Sequence, residues 1–240
     1  VIEQPEPVAI KIKDEDNIIL VEKNINNTAH DYSLVQTDAE IKDLVQYLSQ
    51  SQEICFDTET TGIDANDAEM VGMSFSVKPG EGFYVYCPPD QKETARRLNF
   101  FEALFKDASK TWIGHNIKYD MLILKWYGYE LAGNTFDSML AHFVIEPDGK
   151  NGMDALSEKF LGYEPVHIEE LIGKKGKGQG NMRDLEPEKI KDYAAEDADV
   201  TLQLKEVFSP ILDKAETKKL FDEIEIPLIP VLNRMEANGV

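Results

Sequence analysis

The sequence is short of cysteine, of cationic side chains and of long apolar runs, and each shortage narrows what the chain can be. Its two cysteines, Cys55 and Cys87, sit in separate apolar stretches with no Cys-x-x-Cys pair. That argues against a disulfide framework and for buried, reduced thiols. No apolar run approaches the roughly 20 residues that a membrane-spanning helix needs. The opening Val1-Ile2-Glu3-Gln4-Pro5 has neither the basic start nor the apolar centre of a signal peptide. A starting methionine is also missing, so a piece of a longer chain is expected. Lysine and arginine number 25 against 45 aspartates and glutamates, a formal net charge of −20. This balance speaks against any partner bound along a broad basic face, but not against an enzyme that grips a few phosphates through metal ions. With 240 residues and 42% hydrophobic content, one generous domain with appendages is expected.

Residues 1–30 read as a charged linker with at most short strands. Thr37-Asp38-Ala39-Glu40 signals a helix start, and Ile41, Leu44, Val45 and Leu48 follow at helical spacing. Strands are expected at 53–58, 70–77 and 82–87, with Pro79-Gly80 breaking the last two as a hairpin. A helix over 93–107, a short strand at 111–114 and helices near 137–145 and 153–161 follow. A long helix opens at Glu186-Pro187-Glu188.

Three stretches carry chemistry. In Phe56-Asp57-Thr58-Glu59-Thr60-Thr61-Gly62 the two carboxylates are two apart at the end of a buried strand and project side by side. Such a pair repels itself unless a cation intervenes, and its hard oxygens suit Mg²⁺ or Mn²⁺. In so acidic a chain such a pair is common, and taken alone it reads more readily as a solvated strand end. In His115-Asn116-Ile117-Lys118-Tyr119-Asp120, Asn116 and Asp120 share a face at a helix start, and Asn116 also fits a plain N-cap. In Tyr193-Ala194-Ala195-Glu196-Asp197-Ala198-Asp199, Tyr193 and Asp197 stack one turn apart. The three alanines there let the helix approach a neighbour closely. Asp199, about 200° round from Asp197, is expected to face solvent. The one basic, Gly-rich loop, 173–184, fits neither a Walker A loop nor a dinucleotide fingerprint. Its Lys174, Lys175, Lys177 and Arg183 are the best phosphate contacts on offer.

Taken in this order, the Asp-x-Glu strand, the Asn-x-x-x-Asp helix start and the Tyr-x-x-x-Asp helix resemble the motifs of the DEDD 3′–5′ exonucleases in their tyrosine form. Over residues 31–240 the sequence is similar to the proofreading domain of family A DNA polymerases of the bacterial polymerase I type. The resemblance implies an α/β, RNase H-like fold, a mixed five-stranded sheet flanked by helices. It implies an exonuclease domain at 31–213 after a linker at 1–30. Residues 214–240, with Ile226-Pro227-Leu228 and Arg234-Met235-Glu236-Ala237-Asn238-Gly239-Val240, would begin a polymerase domain. It further implies two divalent ions, Mg²⁺ or Mn²⁺ with Zn²⁺ admissible in one site. Asp57, Glu59 and Asp197 would hold one, and Asp57 would bridge to the other near Asp120. Tyr193, with a phenol pKa about 10, would orient the attacking water rather than deprotonate it. Thr60, Ile63, His115, Asn116 and Tyr119 would line the terminal nucleotides, with Ile63 as an apolar wedge and Met182 where an aromatic stacking residue is expected. The implied partners are a single-stranded DNA 3′ end and the polymerase domain of the same longer chain. A monomer in the bacterial cytoplasm, near the nucleoid and with no membrane contact, is expected.

An RNase D-like exoribonuclease shares the tyrosine-type site and stands as the nearest rival. A catalytically silent acidic module that binds cations or a protein is the rival from another class. A histidine-type exonuclease is disfavoured because no histidine lies near Asp197. An EF-hand is disfavoured because Asp64-Ala65-Asn66-Asp67-Ala68-Glu69 lacks the loop glycine.

Overall fold

The computed structural model describes residues 20–239. Of the expected linker, residues 1–19 lie outside the described residues. The rest carries a short strand, β1 (Lys23–Asn24), ahead of β2 (Asp31–Val35). Helix α1 (Asp38–Ser49) starts on a capping box, with Thr37 Oγ1 accepting from the Glu40 amide and the Glu40 carboxylate accepting from the Thr37 amide. Strands β3 (Glu53–Thr60), β4 (Met70–Ser76) and β5 (Glu81–Tyr86) follow, the last two joined by the Pro79-Gly80 turn. The expected 93–107 helix is instead α2 (Gln91–Leu98), a 3₁₀ turn at Asn99–Phe101 and α3 (Glu102–Phe105). After that tighter turn, Phe101 stacks on Phe75 with 5.2 Å between ring centres. Beyond it come β6 (Thr111–Gly114), α4 (Ile117–Trp126), β7 (Asn134–Asp137), α5 (Ser138–Ile145), α6 (Met153–Leu161), β8 (Tyr163–Glu164) and α7 (Ile168–Ile172). The chain continues through α8 (Pro187–Leu212), α9 (Lys218–Leu220) and, after a π turn at Phe221–Glu225, α10 (Ile226–Ala237).

Six strands form the main sheet, in the order β2-β5-β4-β3-β6-β7. The architecture is the expected mixed α/β one, but the sheet is one strand wider than the five expected. Both edge strands, β2 and β7, are only five and four residues long, too short for their alternation to stand out in the sequence. β3 is central. It runs antiparallel to β4 and parallel to β6, with an irregularity between Glu59 and Thr60 where the strand leaves the sheet.

Alternation along β3 divides its side chains between two faces. Phe56 packs into the core under α1 and α4 with Phe75, Phe105 and Trp112. Cys55 packs against the α8 side with Ala198 and Leu204, so Asp57 and Glu59 are carried toward α8. The small residues expected to allow close approach do so. A Cβ built on Gly82 of β5 would lie 2.5 Å from the Ala195 carbonyl oxygen, so helix backbone rests directly on strand backbone. Gly82→Ala is therefore expected to cost about 2 kcal/mol or more, since no flexible side chain can yield there. Urea denaturation measures it, and an unchanged midpoint would contradict this packing.

Candidate active site

The strand end and the middle of α8 bring three carboxylates together. One oxygen each from Asp57, Glu59 and Asp197 lies within 4.8 Å of the others, and this is the one such group of potential ligands among the described residues. Glu59 and Asp197 are buried, while Asp57 is partly exposed and opens the cluster to solvent. Burial acts in the same direction on all three, and on Glu59 and Asp197 the neighbouring charges add to it. The Asp57 carboxyl is pushed up to about 7, chiefly by burial. Glu59 and Asp197 are pushed well above the usual carboxylate range by burial and then by the Asp57 charge. Glu59 Oε1 and Asp197 Oδ1 are buried with no hydrogen-bond partner. Orphaned, convergent, hard oxygens fit a divalent cation.

Asp120 belongs to the neighbourhood but not to that trio. It rises from the first turn of α4 and is buried. Its Oδ1 accepts from the Thr58 amide at 3.0 Å and the Thr58 hydroxyl at 2.6 Å. Burial and the Asp57 charge push its pKa well up, against those two bonds. Thr58 points to the opposite face of β3 from Asp57, so one strand segment grips Asp120 on one side and presents its own carboxylates on the other. On α8, burial and the charges of Asp197, Glu59 and Asp57 push the Tyr193 phenol well above 10. It stays protonated at neutral pH, beside the cluster.

Residues 32–213 match the family described as 3′–5′ exonuclease. The chain belongs to the 3′–5′ exonuclease family. It is a nuclease, a hydrolase of phosphodiesters. The family's chemistry depends on metal, and the three-carboxylate cluster is where this chain can hold one. A DNA polymerase I from Pseudomonas aeruginosa is 36% identical over 219 residues, covering 87% of this chain and 24% of that protein. One from Borreliella burgdorferi is 34% identical over 212 residues, covering 87% and 23%. The chain thus spans about a quarter of the length of these curated relatives. A solved structure of Brucella melitensis NrnC with bound Mg²⁺ superposes with a TM-score of 0.65 at 17% identity, covering 88% of this chain and 95% of that one. It shares the fold.

Around this carboxylate cluster the remaining expected residues fall into different situations. Thr60 Oγ1 and Tyr119 Oη lie 2.6 Å apart, and both engage the Gly62 carbonyl. The loop beyond is closed by Thr61 with Glu69, and by the Asn181 side chain donating to the Thr61 carbonyl at 2.8 Å. That loop holds up Ile63, which is 92% exposed. The basic loop after α7 leaves Lys174, Lys175 and Lys177 exposed.

Two expected substrate contacts are corrected. Met182 is buried in an apolar cluster with Val71, Tyr84 and Ile190, so it offers no face for a base to stack on. Arg183 donates to the Cys87 and Met70 carbonyls, which ties its guanidinium to strand ends rather than leaving it for phosphate. Neither role was visible in the sequence, because both depend on where β4 and β5 end.

Asn116 is also corrected in part. It occupies the N-cap position of α4 but makes no capping bond. Asp137, from the end of β7, supplies the acceptor instead, taking the Ile117 amide at 2.9 Å while its other oxygen caps α5 through Leu140. Asn116 itself has a left-handed backbone (φ 62°, ψ 43°), the one non-glycine with positive φ among the described residues. Asparagine tolerates this region better than most residues. Asn116→Ala is expected to lose about 1 kcal/mol in urea denaturation and Asn116→Gly to lose none. A glycine variant as destabilised as the alanine one would refute the backbone account. His115 is held neutral, its pKa pushed down to about 4 by burial, with Nδ1 2.8 Å from Ser138 Oγ.

Asp199 is the clearest reversal. It is buried rather than solvent-facing, because β2 and the β4–β5 turn cover that side of α8. Cys55 and Cys87 are buried free thiols, as expected.

Proposed function

We propose that the chain removes deoxynucleoside 5′-monophosphates from the 3′ end of single-stranded or frayed DNA, as the proofreading module of a longer polymerase I-type chain. The observation that carries this reading is the convergence of Asp57, Glu59 and Asp197, with unpartnered, buried oxygens on Glu59 and Asp197. These three would hold one divalent ion, Mg²⁺ or Mn²⁺. Asp57 and Asp120 would serve a second. When bound, such ions acidify a water to near-neutral pKa and neutralise charge on both the attacking and leaving oxygens.

The side chains divide the remaining work. Tyr193, protonated, orients the attacking water through its hydroxyl, and Glu59 assists. Thr58 holds the Asp120 carboxyl in place through its amide and hydroxyl. Ile63, exposed on a loop anchored by Tyr119 and Asn181, wedges against the terminal base. Thr60, Tyr119, Asn116 and His115 line the nucleotide next to it, and Lys174, Lys175 and Lys177 meet phosphates upstream. DNA is favoured as substrate because relatives of this chain are named DNA polymerase I, and a polymerase domain in the same longer chain is the natural partner. Those relatives are bacterial, which supports an activity in the cytoplasm. Mispaired ends would be preferred because they fray.

The test is mononucleotide release from labelled single-stranded DNA and a matched RNA, with Mg²⁺ or Mn²⁺ and then with EDTA. Metal-dependent 3′–5′ trimming of the DNA is expected. Preferential trimming of the RNA would instead favour an exoribonuclease, and no trimming of either would favour the silent module. With so few cations on its surface, the protein should bind single strands weakly, and more weakly still as salt rises.

A further inference from the structure

Asp197 Oδ1 is buried and lacks any hydrogen-bond partner, and the side chain bonded to its carboxyl, Tyr193, rides on the same helix. Its position is inherited from the rotation and height of α8. Around Asp197 the helix meets the sheet through Ala194, Ala195 and Ala198, which permit close approach but supply few knobs to lock a rotation, while its large buried side chains, Ile190, Leu202, Leu204 and Phe208, lie before and beyond that segment. Directional bonds are needed to set the rotation there.

Two carboxylates that the exonuclease mechanism does not use provide them. Glu196 and Asp199 are both buried, and lie about 100° and 200° round the helix from Asp197, away from the cluster. Glu196 accepts from the Tyr163 hydroxyl and, at 2.6 Å, from the Val166 amide. Asp199 accepts from the Tyr32 hydroxyl at 2.8 Å, the Gly80 amide at 2.9 Å and the Gln203 side chain at 2.9 Å. The donors come from β8 and the chain just after it, from β2, from the β4–β5 turn and from the next turn of α8 itself. Buried carboxylates are costly, and apolar residues at both positions would pack α8 at lower cost.

We propose that the Tyr163–Glu196 and Tyr32–Asp199 pairs are positioning clasps that fix the rotation of α8 and thereby deliver Asp197 and Tyr193 to the metal site. The proposal rests on the reading of Asp197 as a metal ligand. A rotation of roughly 15° moves a carboxylate about 5 Å from a helix axis by about 1.3 Å. A displacement of that size is enough to cost about 10²-fold in a positioned reaction.

Tyr163→Phe and Tyr32→Phe remove one donor from each clasp without adding bulk. Each is expected to lower kcat about 10-fold or more, leave KM for a dT oligonucleotide within about two-fold, and weaken Mn²⁺ binding, read from free Mn²⁺ by EPR, about 10-fold. Leu212→Ala, in the last turn of the same helix, is the stability control and should lower Tm while leaving kcat and Mn²⁺ affinity near parental values. Parental kcat and Mn²⁺ affinity in both tyrosine variants would overturn the proposal, as would an equal loss in Leu212→Ala. Mn²⁺ binding by the parent and its loss in Asp57→Asn score the metal-site reading separately from the clasps.

Discussion

An Asp57→Asn chain is expected to release mononucleotides at least about 10³-fold more slowly than the parent, yet to melt at a higher temperature than the parent in EDTA at pH 8. Both halves come from one geometry. Asp57 is the partly exposed member of the trio and the residue whose charge raises the pKa values of Glu59, Asp120 and Asp197 alike. An amide of the same shape withdraws one of the oxygen anions that would serve both ions, and the several kcal/mol of transition-state stabilisation lost correspond to that rate factor. The same amide removes the central repulsion among buried carboxylates, so the metal-free fold gains stability. Steady-state trimming of a labelled oligonucleotide and thermal melts in EDTA measure the two effects on one preparation. Residual trimming above a tenth of the parental rate would remove Asp57 from the catalytic centre. A lower melting temperature in EDTA would mean that its carboxylate is held by favourable contacts instead of opposed by its neighbours.

What could be read from the sequence divides along a physical line. Asp57 and Glu59 were legible because strand alternation places residues two apart on one face whatever the rest of the fold does, and the two of them do meet Asp197. Tyr193 and Asp197 were legible for the analogous helical reason. The hold on Asp120 was not, since Thr58 lies 62 residues away and no local pattern announces that pair. Asp137 capping α4 across β7 escaped for the same reason, and Asn116 looked like a local cap because the residue type fits one. Asp199 shows how a correct angular argument can mislead. It does point away from Asp197, but an edge strand too short to be recognised, β2, brings Tyr32 over it. Met182 and Arg183 sit in a stretch that reads as a solvated basic loop, and only the closed fold shows that one is core and the other a strap across strand ends. Periodicity finds the residues that belong to one element. Residues whose role is to join elements are found only when the elements meet.

The second large effect concerns pH and metal together. In EDTA, the protein is expected to lose stability steadily between pH 5 and pH 8, and Mn²⁺ or Mg²⁺ is expected to restore it most strongly at the alkaline end. Unfolded carboxylates titrate near pH 4. In the native protein Asp57 is pushed up to about 7, and Glu59, Asp120 and Asp197 are pushed well up as well. Above pH 4 the native state therefore holds more protons than the unfolded one, so stability falls as pH rises. The contribution of these groups is fully present below about pH 4 and is progressively lost as pH passes through 7. Carboxylates with lowered pKa, such as Glu93 with its arginine partners, pushed down to about 2, act with the opposite sign, but only below about pH 4, and His115, pushed down to about 4, opposes the trend only up to about pH 6.5 and as one group against four. Each raised group is worth up to about 1.4 kcal/mol per pH unit while it titrates. A total of about 2–4 kcal/mol over the window would move Tm by roughly 5–15 °C for a chain of this length. A divalent ion competes with those protons, so at a concentration of about 100 Kd it should return about 2.7 kcal/mol at pH 8 and much less at pH 5. A flat Tm in EDTA across the window would show that the cluster is not strained by its own charge. A metal-induced rise largest at pH 5 would show that the ion binds somewhere other than these four carboxylates.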